Sequence, residues 1–362
     1  MQHGSAVAHN NRGVILQELG RIDQAIAAYG QALALRPDHA DALRNRALAL
    51  LLAGEFSEGW ELHEHRWQAH VPRPATGTPE WNGQTIRGSL LILPEQGIGD
   101  QLFFLGMVPD AIRAAGTKAS VTLQVDRRLQ PLLRRSFAGT GLQVIASEEP
   151  RPPHDAHVFL GSLGRYFRCS MDAAMASRGV WLKASPQRSH AYRQSLSAPG
   201  TLLCGLSWLS RNGEFGDDKS LSLSHLEPLL ALPGTRWLNL QYGDSANECR
   251  QLQEQKGIKL PAPAGLNVRE DLDGLAAAIC ACDMIVTVSN TTAHLAAGLG
   301  IPTLVMLPRA RGLLWYWHRD RDDSPWYPSA RLFRQTANGD WQSVVKAVRQ
   351  YLAHRTGETG NE

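Results

Sequence analysis

The 362 residues predict an α/β fold: a short all-α helical repeat pair, then two facing halves, each built on a parallel sheet. Three observations predict it. The first seventy residues repeat with a period of thirty-four, residues 71–88 are dense in Pro and Gly, and short β-branched or Leu-rich runs then alternate with amphipathic helical stretches. At roughly 150 residues per domain the length alone calls for two or three domains.

The composition, 43% hydrophobic and 20% charged, is that of a soluble globular protein and excludes a disordered or collagen-like chain. Lys plus Arg exceed Asp plus Glu by only three, and the charges are scattered, so no nucleic-acid footprint is expected. Cys169, Cys204, Cys249, Cys280 and Cys282 are an odd number without the dense spacing of a secreted disulfide framework, which favours a reducing cytoplasm. Cys280 and Cys282 lie in an Ala/Leu-rich run that reads as buried helix, and no second Cys/His pair completes a metal site. Residues 1–4 carry no leader pattern, and no stretch approaches the ~20 apolar residues of a membrane span.

In the repeat, a shift of thirty-four superposes Arg12 on Arg46, Leu16 on Leu50, Gly20 on Gly54, Ile22 on Phe56 and Ala25 on Gly59. Apolar positions recur at three- and four-residue spacing and a glycine interrupts each unit midway, which predicts two antiparallel helices around a tight turn. Gly13, Leu16, Gly20, Ala25, Tyr29, Ala32 and Pro37 resemble the tetratricopeptide repeat signature; the second copy, with Gly59 and His63 for Ala25 and Tyr29, is degenerate. Two copies are fewer than the usual three or so, so another surface must cover the end, and the exit from Trp60 to Trp67 is expected to dock on the next domain. His63 and His65, two apart on a helix, point in different directions and do not make a zinc pair.

Beyond the 71–88 linker, strands are expected at 89–94, 119–126, 142–147 and 156–160, and then at 201–208, 235–242, 284–289 and 302–307. The polar stretch from Ser185 to Gly200 is taken as the hinge, giving halves at 89–195 and 196–362. The 339–354 helix carries Trp341, Val344, Val345, Val348 and Leu352 on one face and packs on a sheet without chemistry. Ligands of open parallel sheets collect at the carboxyl ends of strands, so the chemistry is sought in the loops there.

Four loops stand out. Glu95-Gln96-Gly97-Ile98-Gly99-Asp100 precedes a helix expected to begin near Gln101; Asp100 is either only an N-cap or a functional carboxylate. Gly97 and Gly99 do not complete the three-glycine dinucleotide fingerprint, which leaves a nicotinamide oxidoreductase poorly supported. Ser289-Asn290-Thr291-Thr292-Ala293-His294 opens a small-residue helix, and four polar residues in a row exceed what capping needs, which points to an anion site at the helix start. His294 is there either a neutral hydrogen-bonding group, its pKa lowered by the positive terminus, or a satisfied core histidine. Ser207-Trp208-Leu209-Ser210-Arg211-Asn212, with Lys219 further on, offers two cations to a diphosphate, against the plain reading of solvated surface charge. Gln241, at the fourth strand end, offers an amide to a base or ribose.

Together these loops resemble the bacterial heptosyltransferases, glycosyltransferases of the GT-B fold with two facing Rossmann-like halves, and more closely the tetratricopeptide-repeat proteins that carry a heptosyltransferase-like domain. The likeness rests on the loop ending Gly99-Asp100, Ser207-Trp208 with Lys219, the 289–295 segment, and Asp323-Ser324-Pro325-Trp326-Tyr327-Pro328. It implies that Asp100 is the general base, that Glu95, Gln96, Gly97 and Gly99 lie on the acceptor side, and that Lys219, Asn290, Thr291, Thr292 and His294, with Ser207, Arg211 and Gln241, serve the donor. Asn290 stands where the family usually has Asp, so the sugar need not be heptose. The implied activity is inverting transfer from a nucleoside diphosphate sugar, a co-substrate and not a cofactor, to a hydroxyl of a protein or glycan acceptor, without metal. The rival expectation is a scaffold whose repeats recruit a partner and whose body is a relic without turnover.

Overall fold

The computed structural model describes residues 5–69, 73–211, 213 and 215–357, so the readings of residues 1–4, Pro72 and Asn212 lie outside the described residues. The described chain divides into two compact units. Of the described residues, one takes those within 5–125, 141–178 and 313–321, the other those within 126–140, 179–312 and 322–357.

The first unit opens with four helices, α1 (Ser5–Glu18), α2 (Ile22–Leu35), α3 (Ala40–Ala53) and α4 (Phe56–His63). Gly20 and Gly54 turn the chain between them at φ 75° and 90°, a region that favours glycine. Gly13 is glycine for contact: a Cβ there would lie 2.4 Å from the Tyr29 ring, so α1 and α2 approach too closely for any side chain. In the second copy Gly59 plays the same part against Leu51.

The expected exit covers the end of the pair only in part. Trp60 is buried, donates its indole N–H to the Arg168 carbonyl at 2.9 Å, and presses on Gly164, where a Cβ would meet the ring at 2.4 Å. The remaining cover comes from Leu313–Arg321, a segment to which the sequence pattern assigns no role. Leu313 and Trp315 pack on the repeat core of Leu16, Ile22, Ala25, Tyr29, Ala49 and Leu52. Trp315 meets Trp60 edge-on at 5.2 Å, and Tyr316 stacks on Phe103 at 5.0 Å, contacts that add about 0.5–1.5 kcal/mol per pair beyond area burial. Arg319 closes the segment with a forked ion pair to Asp23.

The same unit holds a four-stranded parallel sheet of β1 (Ser89–Leu93), β2 (Ser120–Val125), β3 (Gln143–Ala146) and β4 (Ala156–Phe159), in the order β3-β2-β1-β4. The second unit holds a five-stranded parallel sheet of β5 (Leu202–Ser207), β6 (Thr235–Asn239), β7 (Met284–Val288), β8 (Thr303–Leu307) and β9 (Ala330–Arg334), in the order β6-β5-β7-β8-β9. Eight strands fall where the apolar runs predict them, and β9 is an addition.

Two expectations are corrected. Residues 186–196 are a helix, Pro186–Leu196, capped by the Ser185 hydroxyl, and not an aperiodic hinge; it buries no residue, so no apolar face marked it. The helix after β1 begins at Ile98 with Gly97 as its N-cap, which puts Asp100 inside the first turn and not at the cap. Cys280 lies in the last turn of the helix Leu272–Ala281, whereas Cys282, read as helical too, is the extended residue that caps it; burial pushes the Cys280 thiol up to about 11 and raises that of Cys282 as well. The helix Trp341–Thr356 seals the second unit's core, with Val344, Val345 and Val348 against Trp208, Leu226 and Met306. No helix among the described residues is long and apolar enough to cross a membrane.

Candidate active site

In the second unit β5 pairs with β6 on one side and β7 on the other, so the connections leaving β5 and β7 diverge at their carboxyl ends, the place where ligands of open parallel sheets bind. The sequence puts Ser207 at the end of β5 and Asn290 just beyond β7, and one hydrogen-bond network ties them together. Asn290 Oδ1 accepts the N–H groups of Thr292 and Ala293 at 3.0 and 3.4 Å and the Thr287 hydroxyl at 3.0 Å. Its Nδ2 donates to Ser207 Oγ at 2.9 Å and to the Leu209 carbonyl at 3.1 Å. Every polar site of that amide is used.

Gln241 is spent in the same way. Its Oε1 accepts the N–H groups of Trp208 and Leu209 at 2.8 and 2.7 Å and the Ser207 hydroxyl at 3.1 Å, while Nε2 donates to the carbonyls of Tyr242 and Leu209. The amide expected to face a base or ribose instead fixes the loop after β5. The helix Thr291–Gly298 is corrected likewise: two of its first-turn amides are capped by Asn290 and are not open to an anion. Thr291 is half-buried at its first position, and Thr292 is buried with Oγ1 unpartnered.

Lys219 is not the solvated charge of the plain reading. It ends the short turn Asp217–Lys219 with 2% of its surface exposed, close enough to His294 for its charge to act on the imidazole. Burial first, and Lys219 second, push His294 down to about 3. The neutral ring bonds through Nδ1 to Tyr327 Oη at 2.9 Å. Tyr327, whose hydroxyl burial pushes up, arrives from the Asp323–Pro328 motif, where Ser324 Oγ accepts the N–H groups of Trp326 and Tyr327. Arg211 is exposed; its N–H donates to Tyr242 Oη at 3.0 Å and its side chain lies over Gly243. Sequence reasoning missed Glu248, which accepts the buried Trp208 indole N–H at 2.9 Å.

His294 carries a pH dependence. Its folded pKa lies below the ordinary 6.5, so the unfolded chain takes the proton first: the stability it contributes is full above about pH 6.5 and is lost as pH falls toward 3. At roughly 1.4 kcal/mol per unit, unfolding at pH 5 is expected to cost about 2 kcal/mol less than at pH 7 through this residue. Urea unfolding of wild type and His294→Gln at both pH values measures it; equal slopes would refute the assignment. His63 in the first unit, lowered by burial and then by Arg66 and Arg44, adds a slope of the same sign in both proteins.

In the first unit Asp100 is half-buried in the first turn of Ile98–Leu105, and a Cβ at Gly97 would sit 3.6 Å from its Oδ2. Gln96 adopts φ 61°, which turns the chain away from β1 toward that helix. Glu95 does not present its carboxylate to an acceptor: it is buried, bonded by Arg66 and by the Gly161 N–H. Among the described residues no three His, Cys, Asp or Glu side chains gather as a metal site.

The tetratricopeptide repeat profile matches residues 6–39. Over 96% of its length the chain is 32% identical to Protein FlbA of Caulobacter vibrioides, and it spans 62% of that protein. A glycosyl transferase family 9 structure from Veillonella parvula superposes with a TM-score of 0.53 at 12% identity, covering 75% of this chain and 98% of that one. The E. coli ADP-heptose lps heptosyltransferase II superposes at 0.49 with 14% identity, over 75% and 99%. The chain thus joins a tetratricopeptide repeat to an α/β body with the fold of the family 9 glycosyltransferase.

Proposed function

We propose that this chain is a glycosyltransferase that moves a sugar from a nucleoside diphosphate sugar to a hydroxyl acceptor with inversion. The observation that carries the reading is a buried hydroxyl without a partner, Thr292 Oγ1, in the same unit as the buried ammonium of Lys219. Lys219 and Thr292 Oγ1 are polar groups kept out of water at the strand ends where ligands of parallel sheets bind. A diphosphate supplies an acceptor for the hydroxyl, and the buried ammonium gives that anion a favourable field.

In the proposed step the Asp100 carboxylate takes the proton of the acceptor hydroxyl, the acceptor oxygen forms its bond to the anomeric carbon, and the bond from that carbon to the phosphate oxygen breaks. The electron pair leaves on the diphosphate, whose growing charge Lys219 and Arg211 meet. Preorganised charges of this kind dominate many rate accelerations, and here Gln241 and Asn290 preorganise the loops. Asn290 itself is saturated, so it shapes the donor site without reading the sugar, and Glu95 shapes the acceptor side. The reading assigns no resident cofactor and leaves the sugar free to differ from heptose. A protein or glycan acceptor and a cytoplasmic location belong to the same proposal.

Calorimetric titration of the full chain with ADP-, GDP-, UDP- and dTDP-sugars, followed by donor hydrolysis assays, tests it. Binding of at least one donor at Kd below about 1 mM, near the weak end of enzyme substrates, is expected. No binding by any of them would favour the scaffold reading.

A further inference from the structure

The first unit has a switch point of its own, between β1 and β4, and a side chain from the repeat exit fills it. Glu95 stands two residues beyond β1, Gly161 and Ser162 just beyond β4, and Arg66 opens the short helix Arg66–Ala69 that follows α4. The guanidinium grips Glu95 with two prongs, Nε to Oε2 at 2.6 Å and Nη2 to Oε1 at 2.8 Å, and Oε1 also accepts the Gly161 N–H at 2.6 Å. Nη2 donates as well to Ser162 Oγ at 2.9 Å, and that hydroxyl donates to Glu64 Oε2 at 3.0 Å. Nη1 donates to Glu64 Oε1 and to the His63 carbonyl, both at 3.1 Å, which anchors the guanidinium in the repeat helices.

The fit is specific to these groups. A Cβ on residue 161 would lie 2.4 Å from Glu95 Oε1, so only glycine leaves room for the carboxylate, and the two charged side chains are only 7% and 2% exposed. Lys in place of Arg66 would offer a point charge where the geometry requires a fork. From Glu95 the chain reaches Asp100 in five residues: Gln96 in the left-handed region, then the Gly97 cap, whose carbonyl accepts the Gln101 N–H at 2.9 Å. Little slack separates the gripped carboxylate from the carboxylate assigned to chemistry.

We propose that Arg66 is a positioning residue: by gripping Glu95 it fixes the 96–99 loop and so the direction of Asp100, which makes the repeat helices part of the transfer machinery. The role of Asp100 in this inference rests on the function proposed above. The test uses the full chain with Arg66→Lys, which keeps the charge and loses the fork, and Glu95→Gln, which keeps the shape and the acceptor for Gly161. Hydrogen exchange read by mass spectrometry is expected to speed at least tenfold at amides 96–101 in both variants, with residues 90–93 unchanged. Donor hydrolysis is expected to fall at least tenfold with donor Kd kept, and Glu95→Gln combined with Asp100→Asn to lose no more than Asp100→Asn alone. Wild-type exchange at 96–101 in both folded variants would overturn the inference, and so would losses that multiply in the double variant. Unchanged hydrolysis in Asp100→Asn alone is a different failure: it sinks the base assignment, while the exchange data still decide whether Arg66 orders the loop.

Discussion

Asp100→Asn is expected to cut turnover by roughly 10²–10⁴-fold, the usual contribution of a positioned proton acceptor, while donor affinity stays within about twofold. The substitution is close to isosteric. The carboxylate is half-buried near the Gly97 cap, so the amide occupies the same volume and loses only the charge and the ability to take a proton. A purely local reading makes a different forecast. As an acidic residue in the first helical turn, Asp100 gains about 0.3–1 kcal/mol from the partial positive charge of the terminus, and Asn would forfeit that much stability and nothing else. Unfolding in urea alongside single-turnover kinetics separates the two. A shifted midpoint with turnover intact would reduce Asp100 to a helix-start charge.

What the sequence discloses and what it conceals divide along the range of the interactions. The repeats are legible because close helix approach is written locally: Gly13 faces Tyr29 within one unit, and Gly20 and Gly54 turn the chain where a left-handed residue is required. The strands are legible because parallel sheets bury both faces; Leu90 through Leu93 and Met284 through Val288 are buried without a break. β9 is different. It lies at the sheet edge with Arg331 and Arg334 among its five residues, so no apolar run betrays it. Helix Pro186–Leu196 buries nothing and therefore shows no period. The loops expected to carry chemistry stand out by their polar residues, but whether each polar group faces a ligand or the protein depends on partners far away in the chain. Asn290 is saturated by Ser207, 83 residues earlier, and by its neighbours; Gln241 by residues 32 to 34 positions back; Glu95 by Arg66, 29 positions back. No local pattern records such pairs. That is why Glu95, Gln241 and Asn290 are expected at the ligand and are instead found shaping the loops.

Lys219→Met should weaken the best-binding donor by about tenfold to a hundredfold, because a hydrogen bond to a charged partner is worth roughly 1.5–3 kcal/mol. Burial dictates the choice of Met. The side chain runs through a tight space, where a Cβ on Gly312 would lie 3.2 Å from Lys219 Cγ, so an unbranched apolar chain of similar length fits and the wider guanidinium of Arg does not. Arg should therefore fail to rescue binding even though it restores the charge. The same variant reports on His294. Loss of the ammonium removes the smaller of the two causes that lower the imidazole, and burial, the larger, remains. The acid-side slope of stability should then set in at the same pH, where the unfolded chain takes its proton, but end at a higher pH than in wild type, with the ring still neutral at pH 7. If donor binding were unchanged in Lys219→Met while this end point moved, the lysine would be a neighbour of His294 and not a phosphate ligand. All the residues concerned lie within the second unit, so the outcome bears on the donor side alone and stands or falls apart from the role of Asp100.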